Sequence, residues 1–191
     1  MPITYPIADI SILAVRKELI EAIKAGKIFI YPTDTLYGIG CNAENEENVE
    51  KIRKIKQRDG KKPLSIIAPS MSWIATHVTN AFPNYLEKLP GPYTLLMTKK
   101  DKKWLSHVSE TEKIGIRIPQ HVFTKLTHAA NVPFITTSVN FAGKAFATSI
   151  EEIPKSIISK VDYVIDAGPI HTKPSTIIDL TGKEPKIVER K

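Results

Sequence analysis

The chain has 191 residues, 42% of them apolar and 25% charged, with a formal net charge of +7 and one cysteine. Those values predict one ordinary globular domain and exclude a low-complexity, fibrous or disulfide-stapled protein and a cysteine-based zinc cluster. The basic excess favours a polyanionic partner such as a nucleotide or RNA, or else a solvated basic face.

The opening residues, MPITYPIADISIL, lack a basic leader followed by an apolar core. No apolar run approaches membrane-spanning length, so a soluble, cytoplasmic protein without membrane contact is expected. From about Ile10 to Ala25, Ile12, Leu13, Leu19, Ile20 and Ile23 line one side of an amphipathic helix that Gly26 closes. Ile28 to Tyr31 then read as a buried strand. It empties into Pro32-Thr33-Asp34-Thr35, a cluster of hydroxyl and turn residues, and into Gly38-Ile39-Gly40, where a backbone could come close to a ligand. Acidic Glu44, Glu46 and Glu47 open a helix with Val49, Ile52 and Ile55 at helical spacing. Its end carries Lys51, Arg53, Lys54, Lys56, Arg58, Lys61 and Lys62.

A second strand spans Leu64 to Ala68, and Ser70 can cap a short helix over Met71 to His77. A turn at Leu86 to Pro92 precedes a strand from Tyr93 to Met97 and a basic loop from Lys99 to Lys103. Ile114 to Ile118 form a strand carrying Arg117, followed by a helix from about His121 to Ala130. Phe134 to Thr137 form the next strand, ending in Ser138-Val139-Asn140 and a turn at Gly143. Ser149 is placed to cap a helix with Ile150, Ile153, Ile157 and Ile158. Tyr163 to Ile165 and Ser175 to Ile178 are the last clear strands before a basic tail, Lys183 to Lys191. Strands alternate with helices throughout, so the class is α/β on one mixed sheet.

Several short motifs fail on inspection. Gly38-Ile39-Gly40-Cys41-Asn42-Ala43 matches a dinucleotide fingerprint in form, but PTDTLY separates it from the strand and the helix begins too late. Gly143-Lys144 lacks the first glycine and the final hydroxyl of a phosphate loop. The five histidines are scattered without ligand spacing, so no metal site made of protein side chains is expected. Cys41 reads as a small core hydrophobe. What remains is a set of groups at element ends: Thr33, Thr35, Lys56, Arg58, Arg117, Ser138, Asn140, Ser175 and Thr176. Cations for phosphate charge, with hydroxyls and an amide for orientation, suit a nucleoside triphosphate and a small polar substrate. Such a site would work by positioning and charge stabilisation.

The run YPTDTLYGIG, then Lys56-Gln57-Arg58 and Lys62-Pro63-Leu64, then PGPYTLLM, GIRIP, TTSVNFAGK and PSTIIDLTG, closely resembles the YrdC/TsaC family of threonylcarbamoyl-adenylate synthases. The likeness covers about Ala14 to Val188. It implies a single YrdC-like domain over 1–191 with no additional C-terminal domain, and a twisted mixed sheet with flanking helices and a basic concave groove. It also implies that L-threonine, bicarbonate and ATP with Mg²⁺ give L-threonylcarbamoyladenylate and pyrophosphate. The resemblance further implies that the product is handed to a transferase complex that modifies tRNA, with the basic groove as a candidate surface for tRNA or other RNA contact. By motif, Lys56 and Arg58 neutralise the triphosphate and the charge developing at the α-phosphate, while Ser138 and Asn140 orient the nucleotide or the carbamate. Thr35, Arg117 and Ser175 match the threonine grip, with Arg117 facing the carboxylate. Lys62 is a phosphate contact or a solvated lysine, and Arg190 an ATP contact.

Three departures stand out: Ile67 where many members carry histidine, Phe146 where many carry serine, and Val188-Glu189-Arg190-Lys191 in place of an Arg-x-Gly close. The rival readings are a paralogue of the same fold that binds RNA or nucleotide without synthase activity, and a domain like that in hydrogenase-maturation carbamoyltransferases. Asn140 argues against the paralogous branch, which lacks it. A chain with one cysteine lacks the zinc-finger segments of the carbamoyltransferases.

Overall fold

In the computed structural model, which describes residues 1–59 and 62–188, the first long helix, α1 (Leu13–Lys24), stops where the sequence places its glycine. Gly26 takes φ +78°; its amide donates to Ile23 O and the Lys27 amide to Ala22 O, both at 3.0 Å. This closure needs a left-handed residue after the cap, which glycine supplies without a steric penalty. Ahead of it lie a strand that the sequence pattern did not signal, β1 (Ile3–Pro6), and a 3₁₀ turn over Ile7–Ser11. The side chains of β1 are nearly all exposed, so it shows no inside–outside alternation.

The apolar run becomes β2 (Phe29–Tyr31), which turns through residues 32–37 into the antiparallel β3 (Gly38–Gly40). Here the expectation of a ligand-facing glycine pair divides: Gly38 lines the cleft described below, and Gly40 does not. A Cβ on Gly40 would strike the Ile135 carbonyl, so that glycine admits a neighbouring strand. The next helix, α2 (Glu46–Ile55), is capped by Asn45, whose Oδ1 accepts from the Asn48 amide at 3.0 Å. Then come β4 (Ser65–Ile67) and α3 (Met71–His77), with Ser70 Oγ accepting from the Trp73 amide at 3.0 Å as expected. The chain continues with β5 (Val78–Thr79), a 3₁₀ turn over Pro83–Lys88, β6 (Tyr93–Lys99) and β7 (Lys113–Arg117).

The helix expected from His121 begins later, as α4 (Thr124–Ala130), and leads to β8 (Phe134–Ser138). The Ser149-capped helix is a second correction: only Lys155–Ile158 is helical, as α5. Pro154 lacks an N–H and disfavours helical geometry at Ile153, so the segment before it runs in turns. Ile153 and Ile157 still reach the core. The last strands are β9 (Tyr163–Asp166), β10 (Thr176–Asp179) and, within the expected basic tail, β11 (Lys186–Val188).

Among the described residues these strands form one mixed sheet in the order β1-β9-β2-β3-β8-β4-β7-β6-β10-β11, with β5 on β6. On one face Ile135, Ile66, Ile116 and Leu95 pack with Val49, Ile52 and Ile55 of α2 in the larger apolar cluster. On the other face α1 and α4 bring Leu19, Ile23 and Leu126 onto Phe29, Tyr31, Ile67 and Phe134. Two residues along from Phe134 stands Thr136, and two back from Ile67 stands Ser65; these two are paired across the strands. Strand period places them on the same face as the apolar pair, so that face changes from apolar to polar where helix cover ends. Among the described residues no helix is long and apolar enough to cross a membrane.

Candidate active site

The polar part of this face is the floor of a cleft of about 700 Å³. Thr136, Ser65, Gly115 and Leu96 sit side by side across four strands. A Cβ on Gly115 would crowd Ser65 Oγ and come within 3.3 Å of Thr94 Cγ2, so the missing side chain keeps the floor open. Thr35, Lys56, Arg58, Lys62, Arg117, Ser138, Asn140 and Ser175 all line this one cleft. Arg190 lies outside the described residues. Lys144 adds a fifth cation to Lys56, Arg58, Lys62 and Arg117, and no carboxylate of the described residues lines the cavity. Low-dielectric walls carrying one sign of charge concentrate counter-ions, so the cleft attracts anions.

At one end stands Lys56, which leaves α2 just past its last turn and is 2% exposed. Its ammonium donates to Ser138 O, to Asn140 O at 2.9 Å and to Asn140 Oδ1 at 3.2 Å. Ser138 Oγ donates to Asn140 Oδ1 at 2.6 Å, and Asn140 Nδ2 to Lys144 O at 2.7 Å. The K-x-R and S-x-N motifs, more than eighty residues apart in the sequence, are therefore one hydrogen-bonded unit. Burial, with the neighbouring Arg58 charge, pushes the Lys56 pKa down to about 7. Arg58 donates to Pro63 O at 2.9 Å, and burial lowers its pKa.

At the other end Arg117 leaves β7 at 7% exposure. One guanidinium nitrogen donates to Asp34 Oδ1 at 2.5 Å, and both terminal nitrogens lie within 3.3 to 3.4 Å of Thr35 Oγ1. Thr33 Oγ1 donates to Leu36 O at 2.7 Å and accepts from the Leu36 amide at 3.1 Å, which fixes the turn presenting Thr35. Thr172 Oγ1 donates to Thr35 O. Ser175 Oγ is 2.9 Å from Thr94 Oγ1.

The cationic end of the first motif divides on folding. Arg53 is buried and donates to Lys62 O at 2.7 Å, His107 O at 2.9 Å and Val108 O at 3.1 Å, so it ties loops together away from the cleft. Lys51 and Lys54 border a separate depression with Lys160 and Asp162, and Lys61 lies outside the described residues. Lys99, expected to open a basic loop, ends β6 and is buried, donating to the carbonyls of Lys102, Trp104 and Ser109. Cys41 is fully buried, and burial pushes its thiol up to about 12, as befits a core residue. Ile67 packs in the aromatic-rich second cluster and does not line the cleft, whereas Phe146 does. Sequence reasoning missed Ser65, Thr94, Lys144 and Asp34. The signal for Asp34 was a lone acid within an otherwise hydroxyl-bearing turn; for Ser65 and Thr94 it was a hydroxyl inside an apolar strand. Among the described residues no group of three or more His, Cys, Asp or Glu could hold a metal ion.

A cleft on a sheet face where the described residues gather five cations and a row of hydroxyls and contribute no carboxylate defines an anion-handling α/β protein, suited to a nucleotide beside a small polar molecule. The chain belongs to the Sua5/YciO/YrdC family, whose model, described as "Telomere recombination", matches residues 21–190. It is 41% identical over 173 residues to a Methanocaldococcus jannaschii protein provisionally named threonylcarbamoyl-AMP synthase, covering 86% of this chain and 82% of that one. The structure of P. abyssi Sua5 complexed with L-threonine is similar over 98% of this chain, with TM-score 0.84 and 27% identity. This chain spans 56% of that Sua5. The structure of Escherichia coli YciO is similar over 98% of this chain and 95% of its own, with TM-score 0.84 and 26% identity.

Proposed function

We propose that the cleft is the active site of a cytoplasmic L-threonylcarbamoyladenylate synthase, within a single YrdC-like domain. The observation that carries the reading is convergence: Thr35, Lys56, Arg58, Arg117, Asn140 and Ser175, from stretches far apart in the chain, line one cavity to which no carboxylate of the described residues contributes. The threonylcarbamoyl-AMP synthase name of the Methanocaldococcus relative and the L-threonine held by P. abyssi Sua5 support it.

In this reading the threonine amine takes up carbon dioxide from bicarbonate as a carbamate. A carbamate oxygen bonds to the α-phosphorus of ATP while the bond to the bridging oxygen breaks, and pyrophosphate leaves. Arg58 and Lys56 stabilise charge on the transferring phosphorus and the leaving group, and Lys144 and Lys62 extend that field. Ser138 and Asn140, fixed by Lys56, orient the nucleotide or carbamate. Arg117, Thr35 and Ser175 hold threonine. Mg²⁺ fits as a companion of the triphosphate: magnesium keeps most of its water and binds substrate phosphates, and the described residues of this cleft supply no carboxylate cage. The product passes to a tRNA-modifying transferase, and the basic groove is available to RNA.

Pyrophosphate release from ATP with Mg²⁺ and bicarbonate tests the reading, with and without L-threonine and with serine as control. Release requiring both threonine and bicarbonate is expected. Nucleotide binding without pyrophosphate under any combination overturns the synthase and leaves a binding paralogue.

A further inference from the structure

Arg117 stands in a cavity full of cations, and among the described residues it alone of them carries a carboxylate partner. Its guanidinium meets Asp34 Oδ1 at 2.5 Å, with the two side chains only 8% and 11% exposed. Asp34 does not line the cleft. Its second oxygen, Oδ2, accepts from the Gln120 amide at 2.9 Å, so the carboxylate is anchored to the loop after β7. Thr35 Oγ1 fixes the guanidinium from a further side.

We propose that Asp34 is a positioning and charge-sorting residue: held behind Arg117, it aims the guanidinium at a single carboxylate and denies that end of the cleft to phosphate. The inference rests on the synthase reading for its substrates but on the ion pair for its geometry. Ser138 and Arg117 stand on strands two steps apart in the sheet and four residues apart along them, roughly 16 Å at the usual strand spacing and rise. The end near Ser138 holds Lys56, Arg58 and Lys144, none of which has an ion pair among the described residues. The Arg117 end is neutral as a pair. A guanidinium has five donors, so one already bonded to Asp34 can still bind a carboxylate. It offers a multiply charged phosphate much less net attraction, because the neighbouring negative charge repels it. A cleft with two equally positive ends would bind the triphosphate in either register.

Calorimetric titration with pyrophosphate, in parallel with steady-state kinetics, tests this on the whole chain. Wild type is expected to bind pyrophosphate at one site that competes with ATP and not with L-threonine. Asp34→Asn is expected to gain a second pyrophosphate site competed by threonine. Its threonine KM should rise about tenfold and its kcat should change little, with Asp34→Glu restoring much of the loss. A merely structural role would lower the melting temperature and leave site number and the KM-to-kcat split unmoved. One pyrophosphate site in folded Asp34→Asn overturns the proposal. So does competition between pyrophosphate and threonine in the wild type, a result that needs no variant to fold. Absence of threonine-dependent turnover would defeat the synthase reading, while the pyrophosphate site count still judges Asp34.

Discussion

The Lys56 ammonium donates to both the backbone and the side-chain oxygen of Asn140, at 2.9 and 3.2 Å, and so joins the end of a helix to the end of a strand. That same burial pushes its pKa down to about 7 from an ordinary 10.5. Between those two values the unfolded chain binds more protons than the folded one, so this residue makes stability rise with pH across that window. Below about pH 7 the folded ammonium is charged and its burial penalty is fully present.

Ligand binding should couple to the same proton. Phosphate beside Lys56 favours the charged form, so nucleotide binding raises its pKa. Above about pH 7 the free protein begins to lose the Lys56 proton, and ATP binding at about pH 8 is expected to be accompanied by proton uptake. At about pH 6 uptake should fall close to zero. Calorimetry in two buffers of different ionisation enthalpy reads this directly. Lys56→Met should abolish it, and uptake unchanged in that variant would remove Lys56 from the phosphate site.

Two arginines near the end of one helix should separate stability from turnover. Arg53→Met removes donors to three loop carbonyls and is expected to cost about 3 kcal/mol in urea denaturation, with turnover of the folded protein within a few-fold of normal. Arg58 is half-buried with one bond to Pro63 O. Arg58→Ala should lower turnover by roughly 100-fold or more while stability moves by about 0.5 kcal/mol. The opposite pattern would exchange the two roles.

Gly40→Ala tests the structural role of the second glycine of β3. The added methyl meets the Ile135 carbonyl and the Phe134 ring, with backbone on one side that cannot rotate away. A loss of about 3 kcal/mol is expected from thermal or urea unfolding. Full stability with altered nucleotide affinity would return Gly40 to the ligand.

Local pattern settled much of this protein before any tertiary contact was known. Gly26 ended α1, Ser70 capped α3, and the apolar runs around Ile30, Ile66, Ile116 and Ile135 became strands because short-range sterics and burial periodicity act within a few residues. The motif residues Lys56, Arg58, Arg117, Ser138, Asn140 and Ser175 were also legible, since each marks the end of a strand or helix. The isoleucine run at 150–158 misled because its spacing looked helical, while Pro154 limited the helix to four residues.

What only the tertiary structure decided was which cation faces what. By charge and spacing alone Arg53, Lys56 and Arg58 belong to one basic stretch, from which only the motif resemblance set Lys56 and Arg58 apart, and Asp34 is a turn residue. The sheet order sets Ser138 two strands from Arg117, swings Asp34 behind that arginine, and turns Arg53 onto loop carbonyls. Charge is carried by residue type, but its effect depends on distance, desolvation and partners, and those are fixed only when strands distant in the chain are brought side by side.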